Sequence, residues 1–235
     1  MRDSRYSKLY VFAGTLSVLT SLLYWLTSSV IKDTYYHFLA WNLLLAWIPC
    51  LLATVMIYIH SRGFGSGFSK LLMLGLGAGW LLFFPNSPYI VTDLIHLTLK
   101  KNMYTAFGDY SIRYWIDLVL ILLFAWNGLL LGFLSLYQVQ SILHRRGRRW
   151  ASWILVGSVS LLSGYGIWLG RVPRLNSWDL LTDGDRVMGL IARSLSVQTL
   201  LFTLFFGILI FVVYITFYQL LHVAHETKQQ ASPST

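Results

Sequence analysis

The chain predicts an all-α fold: a polytopic integral membrane helix bundle of about six transmembrane helices, with an interfacial amphipathic helix between spans five and six. Three observations carry this. Of 235 residues, 56% are hydrophobic and only 11% charged, against about 25% charged in soluble domains. Mean hydropathy is +0.61. The apolar residues gather into six runs, and a hydrocarbon core about 30 Å thick needs about 20 such residues of helix. A single membrane-embedded domain, 1–235, accommodates them.

The first run, about Leu9 to Thr27, follows Arg2, Arg5 and Lys8 as a signal peptide would. It is long, ends in Tyr24 and Trp25 and offers no small-x-small cleavage site, so it reads as a retained span. The other spans are placed at Tyr36 to Ile59, Leu71 to Ile90, Tyr114 to Val139, Trp150 to Leu169 and Val197 to His222. Between the second and third, Gly63-Phe64-Gly65-Ser66-Gly67 looks like a phosphate loop but lacks the Gly-Lys-Ser/Thr ending, and it reads as a flexible turn. Asp179 to Ser196 alternates Leu180, Val187, Met188, Leu190, Ile191 and Leu195 with Asp183, Asp185, Arg186 and Arg193, the pattern of a helix lying in the membrane interface. Asp183-Gly184-Asp185 has no calcium-loop spacing and reads as a turn.

With 18 Lys+Arg against 9 Asp+Glu the formal charge is +9. The basic residues sit at the ends of apolar runs and cover no single face, so a nucleic-acid partner is not expected. Arg2, Arg5 and Lys8 precede span one, Arg62 and Lys70 separate spans two and three, and Arg145, Arg146, Arg148 and Arg149 separate spans four and five. The positive-inside rule therefore expects both termini in the cytoplasm. Cys50 is the single cysteine, which excludes an intramolecular disulfide.

In that topology, four span ends meet on the extracytoplasmic side: Tyr36, His37 and Asn42 of span two, Pro85-Asn86-Ser87-Pro88 of span three, Asp117 of span four and Gly170-Arg171 of span five. Asp93 and His96 are three residues apart. If the helix continues past Pro88 they share a face, and a carboxylate beside an imidazole suits general acid–base chemistry. Asp93, His96 and Asp117 are thus the catalytic candidates, against the alternative of an interfacial helix facing water. Arg171 and Arg174 bracket Pro173, and guanidinium groups bind phosphate or carboxylate bidentately. Together with Asn86, Asn176 and Asp179 they are the ligand-binding candidates; pairing of the arginines with Asp93, Asp117 or Asp179 is the structural alternative. Asn42 and Asn127 suit interhelical hydrogen bonds. Gly75 and Gly79, Gly128 and Gly132, and Gly166 and Gly170 are small-x-x-x-small pairs, which predict close packing of spans three, four and five.

No metal site is expected, because His222 and His225 suit the end of a helix dipole. No cofactor is expected either, since no histidine sits mid-span. The stretches Pro85-Asn86-Ser87-Pro88-Tyr89-Ile90-Val91-Thr92-Asp93-Leu94-Ile95-His96-Leu97, Trp115-Ile116-Asp117-Leu118, and Gly170-Arg171 through Asn176-Ser177-Trp178-Asp179-Leu180 resemble an uncharacterised bacterial membrane-protein family, domain of unknown function 1361, over about Trp41 to Tyr218. One departure is Ser87, where the family more often carries Ala. The resemblance implies a bacterial cell-membrane protein and assigns no activity. Three classes follow from the residues: a lipid-headgroup or small-anion site at the outer surface, with its carboxylates as the catalytic candidates; a non-catalytic membrane subunit or assembly factor with a membrane-protein partner; and a transporter gated at Pro85 and Pro88. The absence of charge near span centres weighs against a proton-coupled version of the last.

Overall fold

The computed structural model describes residues 3–30, 36–62, 67–99, 104–106, 109–145 and 147–230. Six helices among them are long and apolar enough to cross a membrane: Ser7–Val30, His37–Ser61, Gly67–Leu99, Ile112–His144, Arg149–Arg171 and Val197–Ala224. The protein is therefore a multi-pass membrane protein built of helices. The expected turn at Gly63 to Ser66, and the loop charges Arg2, Lys100, Lys101 and Arg146, lie outside the described residues. The chain falls into two compact units, Met1–Ser135 and Leu136–Thr235.

The first unit contains α1 (Asp3–Val30), α2 (His37–Ser61), α3 (Gly67–Phe83) and the first two-thirds of α6 (Ile112–Arg145). Between α3 and α6 the chain makes α4 (Asn86–Tyr89), a 3-10 turn (Ile90–Leu94), α5 (Ile95–Leu99) and a two-residue antiparallel pairing of β1 (Thr105–Ala106) with β2 (Asp109–Tyr110). The sequence placed the end of span three at Ile90, whereas helical turns continue to Leu99. Pro85 and Pro88 lack backbone donors, and the chain answers by tightening. The amides of Phe84, Ser87 and Tyr89 bond to the carbonyls of Trp80, Phe84 and Pro85, at 2.8, 3.1 and 3.0 Å.

This tightened stretch is docked on both sides. Pro49 lies inside the continuous helix α2 and has no N–H for the Leu45 carbonyl four residues back; beside it, the hydroxyl of Ser87 donates to the Ala46 carbonyl at 3.0 Å. On the opposite side lies α6. A Cβ at Gly128 would sit 2.5 Å from the Ser87 carbonyl oxygen and 2.9 Å from Ile90 Cδ1, and one at Gly132 would sit 3.2 Å from Ser87 Cβ. Polar side chains tie the remaining helices. Asn127 Nδ2 and Trp47 Nε1 both donate to Ser17 Oγ, at 2.9 and 3.1 Å, and Trp80 Nε1 donates to Ser135 Oγ at 2.6 Å.

The second unit holds the end of α6, α7 (Arg149–Arg171), the short α8 (Asp179–Thr182), α9 (Gly184–Arg193) and α10 (Val197–Gln230). Two glycines let α7 and α10 meet backbone to backbone. A Cβ at Gly164 would lie 2.4 Å from the Thr203 carbonyl oxygen and 2.9 Å from the Gly207 nitrogen, and one at Gly207 would lie 2.8 Å from Leu161 Cδ2. Tyr165 hydroxyl and Ser194 Oγ bond at 2.6 Å, fastening the end of α9 to α7.

The glycine expectation is therefore corrected. Gly75 has nothing within 4 Å of an added Cβ, and for Gly79 the nearest atom is Leu52 Cδ1 at 3.9 Å, an ordinary contact. Spacing alone cannot say which glycine stripe meets backbone and which meets lipid. Gly128→Ala and Gly164→Ala each force a methyl into a neighbouring backbone, with overpacking costs of about 1–3 kcal/mol. Gly75→Ala should leave stability unchanged or slightly raised, since alanine is the better helix former. Thermal unfolding in detergent should separate the first two variants from the third.

Candidate functional site

Two polar centres occupy the end of the first unit where α2 and α6 begin. The first is built where the 3-10 turn, which carries Asp93, runs into α5, which carries His96. Asp93 is 1% exposed, and its Oδ2 accepts a 2.8 Å bond from Asn42 Nδ2, one and a half turns into α2. Asn42 and Asn127 thus both act as interhelical donors, as their residue type suggested. His96 Nδ1 bonds to the Asp93 main-chain carbonyl at 2.9 Å. A carbonyl only accepts, so Nδ1 carries the proton and Nε2 is the basic nitrogen of the neutral ring. Phe38 packs over the imidazole, with centroids 4.5 Å apart. Asn42 thus reaches the Asp93 side chain from a neighbouring helix, while the His96 ring is bonded to the turn's own carbonyl.

The second centre surrounds Asp117, which is 3% exposed. Tyr104 hydroxyl donates to Asp117 Oδ2 at 2.8 Å. Its one proton is committed there, so in its contact with Tyr36 the Tyr36 hydroxyl is the donor. The result is a directed chain from Tyr36 through Tyr104 to the carboxylate. One turn earlier on α6, Arg113 Nε lies 3.7 Å from Asp117 Oδ2. The pair supplies countercharge, which a carboxylate withdrawn from water requires. Burial, with the negative charge of Asp117 adding to it, pushes the Tyr36 phenol up to about 12, and burial with the same hydrogen-bonded chain raises Tyr104 further. Both phenols stay protonated at neutral pH and serve as donors.

Asn86 donates to the Phe83 carbonyl at 2.9 Å and so closes the end of α3. The other candidates belong to the second unit. Arg171 is the last residue of α7. Leu175 N–H reaches back to the Leu169 carbonyl at 3.0 Å, and the intervening Arg174 takes a left-handed conformation, φ 60°. Asp179 Oδ2 accepts from the Asn176 amide nitrogen at 2.7 Å and from its side-chain Nδ2 at 3.4 Å. Asn176 and Asp179 therefore close their own turn. Among the described residues no three His, Cys, Asp or Glu side chains gather as a metal ion would need.

A family model described as "Protein of unknown function (DUF1361)" matches residues 41–213. The chain belongs to that family. No curated protein and no solved structure matches it. The DUF1361 segment includes Asn42, Asp93, His96, Asp117 and Arg171, while Tyr36 precedes it.

Sequence reasoning missed Tyr104 and the role of Arg113. Tyr104 sits outside any periodic segment, and its partners are 68 and 13 residues away, so no spacing rule points to it. Tyr104→Phe keeps the ring but removes the donor facing a buried carboxylate, a loss of about 1–3 kcal/mol. Because the Tyr36 pKa is raised from 10.0 to about 12, the folded protein keeps a proton that the unfolded chain has released. The stability tied to this proton is intact below pH 10 and is lost as pH rises through the folded value. The melting temperature should fall between pH 10 and 12, and Tyr36→Phe/Tyr104→Phe should flatten that fall.

Proposed function

We propose that this multi-pass membrane protein holds a lipid headgroup or small anion at a polar site on the extracytoplasmic face of a bacterial cell membrane, with both termini in the cytoplasm. The observation that carries the reading is the burial of Asp93 and Asp117 at one end of the first unit, each given a donor from a different element. Ionisable residues in membrane segments are costly, and those retained mark polar pathways, pairings or sites. His96 adds a basic nitrogen whose tautomer is fixed. The charge distribution of the loops supports the orientation.

Two features favour binding over a transport path. The charged groups cluster at span ends, and the mid-span polar residues Ser17, Trp47 and Asn127 bond to one another. In the second unit Arg171, a planar cation at the end of α7, is the residue proposed to contact an anionic headgroup; in the first, Asp93 is held by Asn42.

The test compares Arg171→Lys, Arg171→Gln, Asp93→Asn and the Arg171→Gln/Asp93→Asn double variant, measuring co-purified lipid by mass spectrometry and the melting temperature. Arg171→Lys should lower anionic-lipid retention with little change in melting, since lysine keeps the charge but loses the fork. Asp93→Asn should lower the melting temperature, and the double variant should show the sum of the single effects. Unchanged lipid retention together with mutual rescue of stability would instead make Arg171 and Asp93 a structural ion pair.

A further inference from the structure

Beyond the two carboxylate centres, the second unit carries an arm, residues 172–196, whose surface is divided in an informative way. Around α9, at 100° per residue, Val187, Ile191 and the following Ser194 fall in one sector. Val187 and Ser194 are each 5% exposed, and Ser194 is the residue bonded to Tyr165. This sector faces the protein. About 100° to one side lies Met188, 60% exposed, followed just past the helix by Leu195, 78% exposed. About 100° to the other side lie the exposed Arg186 and Arg193. An apolar flank opposite a cationic one orients a helix lying along a bilayer surface, apolar flank toward the acyl chains and charges toward water.

At the near end of this arm stands Arg174. Its φ of 60° is one that glycine adopts without strain and a long side chain rarely does. The turn that brings Leu175 back to Leu169 needs only that backbone conformation, so the guanidinium is not explained by the turn. Arg174 is exposed, and among the described residues no carboxylate pairs with it. Asp179, the acid nearest in sequence, is already bonded twice to Asn176. Val172, two residues before, is 58% exposed. An exposed planar cation just past a span end, two residues after an exposed apolar side chain, suits the junction of a lipid phosphate with its acyl chains.

We infer that Arg174 binds the phosphate of an anionic phospholipid at the membrane surface along which the exposed apolar flank of the arm, Met188 and Leu195, is laid. The inference rests on the headgroup reading above for the surface involved and adds the ligand class and a residue distinct from Arg171.

The full-length protein is reconstituted in nanodiscs of mixed phosphatidylcholine and phosphatidylglycerol, extracted in mild detergent, and its retained lipid measured by native mass spectrometry. Wild type should retain phosphatidylglycerol in preference to phosphatidylcholine. Arg174→Gly keeps the backbone conformation and should cut that preference about fivefold, the equivalent of about 1 kcal/mol for one cation at a lipid surface. Arg174→Lys should fall between the two. Arg193→Gln, on the water-facing flank, should match wild type. Retention unchanged in Arg174→Gly would show that Arg174 only shapes the turn and would overturn the inference; so would an equal loss in Arg193→Gln, which would mean diffuse attraction without a site. Sodium phosphate in place of sodium chloride at equal ionic strength should leave retention unchanged, and displacement of the lipid by it would make a free anion the ligand. If Arg171→Lys has no effect while Arg174→Gly does, the Arg171 site fails and the arm stands.

Discussion

The polar end of the first unit depends on one close approach, that of the Ser87 carbonyl to Gly128. Inside a membrane an interrupted helix persists only where protein covers it and supplies the missing backbone partners. Here α6 comes close because Gly128 and Gly132 have no side chains, and α2 is tied to the same stretch by the bond from the Ser87 hydroxyl to the Ala46 carbonyl. Asp93 and His96 follow six and nine residues after Ser87, so the placement of both is inherited from that contact.

The two carboxylates show how a lipid-embedded protein retains acids. Asp117 has a phenol chain and a guanidinium, and Asp93 has an amide from a neighbouring helix. In each case the partner arrives from a different element, so the polar bonds also fix where the elements sit. Tyr36 caps α2, and Phe38 and Asn42 come from its first turn and a half. Phe38 bridges the two centres through its ring contacts with Tyr36 and His96.

Much of this was legible in the residues. The six spans follow from run length, the break from Pro85 and Pro88, the shared side of Asp93 and His96 from their spacing, and the donor roles of Asn42 and Asn127 from the scarcity of amides in lipid. Other features were not. Gly75 and Gly79 have the same spacing as Gly128 and Gly132, yet only the second pair is closely approached, both glycines by Ser87, because spacing describes one helix and packing needs two. Gly164 and Gly207 lie on different helices, so no single-helix motif contains them. Asn176 and Asp179 looked like ligand groups and close their own turn, which is the commonest use of such residues beside a helix start. Arg174 drew notice for its charge, but its backbone conformation could only come from the structure.

Amide hydrogen exchange across residues 84–99 in detergent micelles tests the central claim most directly. If the interrupted stretch is locked between α2 and α6, the amides of Ser87 and Tyr89, whose bonds are internal to it, should exchange as slowly as those of the buried middle of α6 around Phe124 and Leu131. Exchange as fast as in the exposed arm around Arg174 would show that the stretch opens freely, and the account of how Asp93 and His96 are held would be wrong.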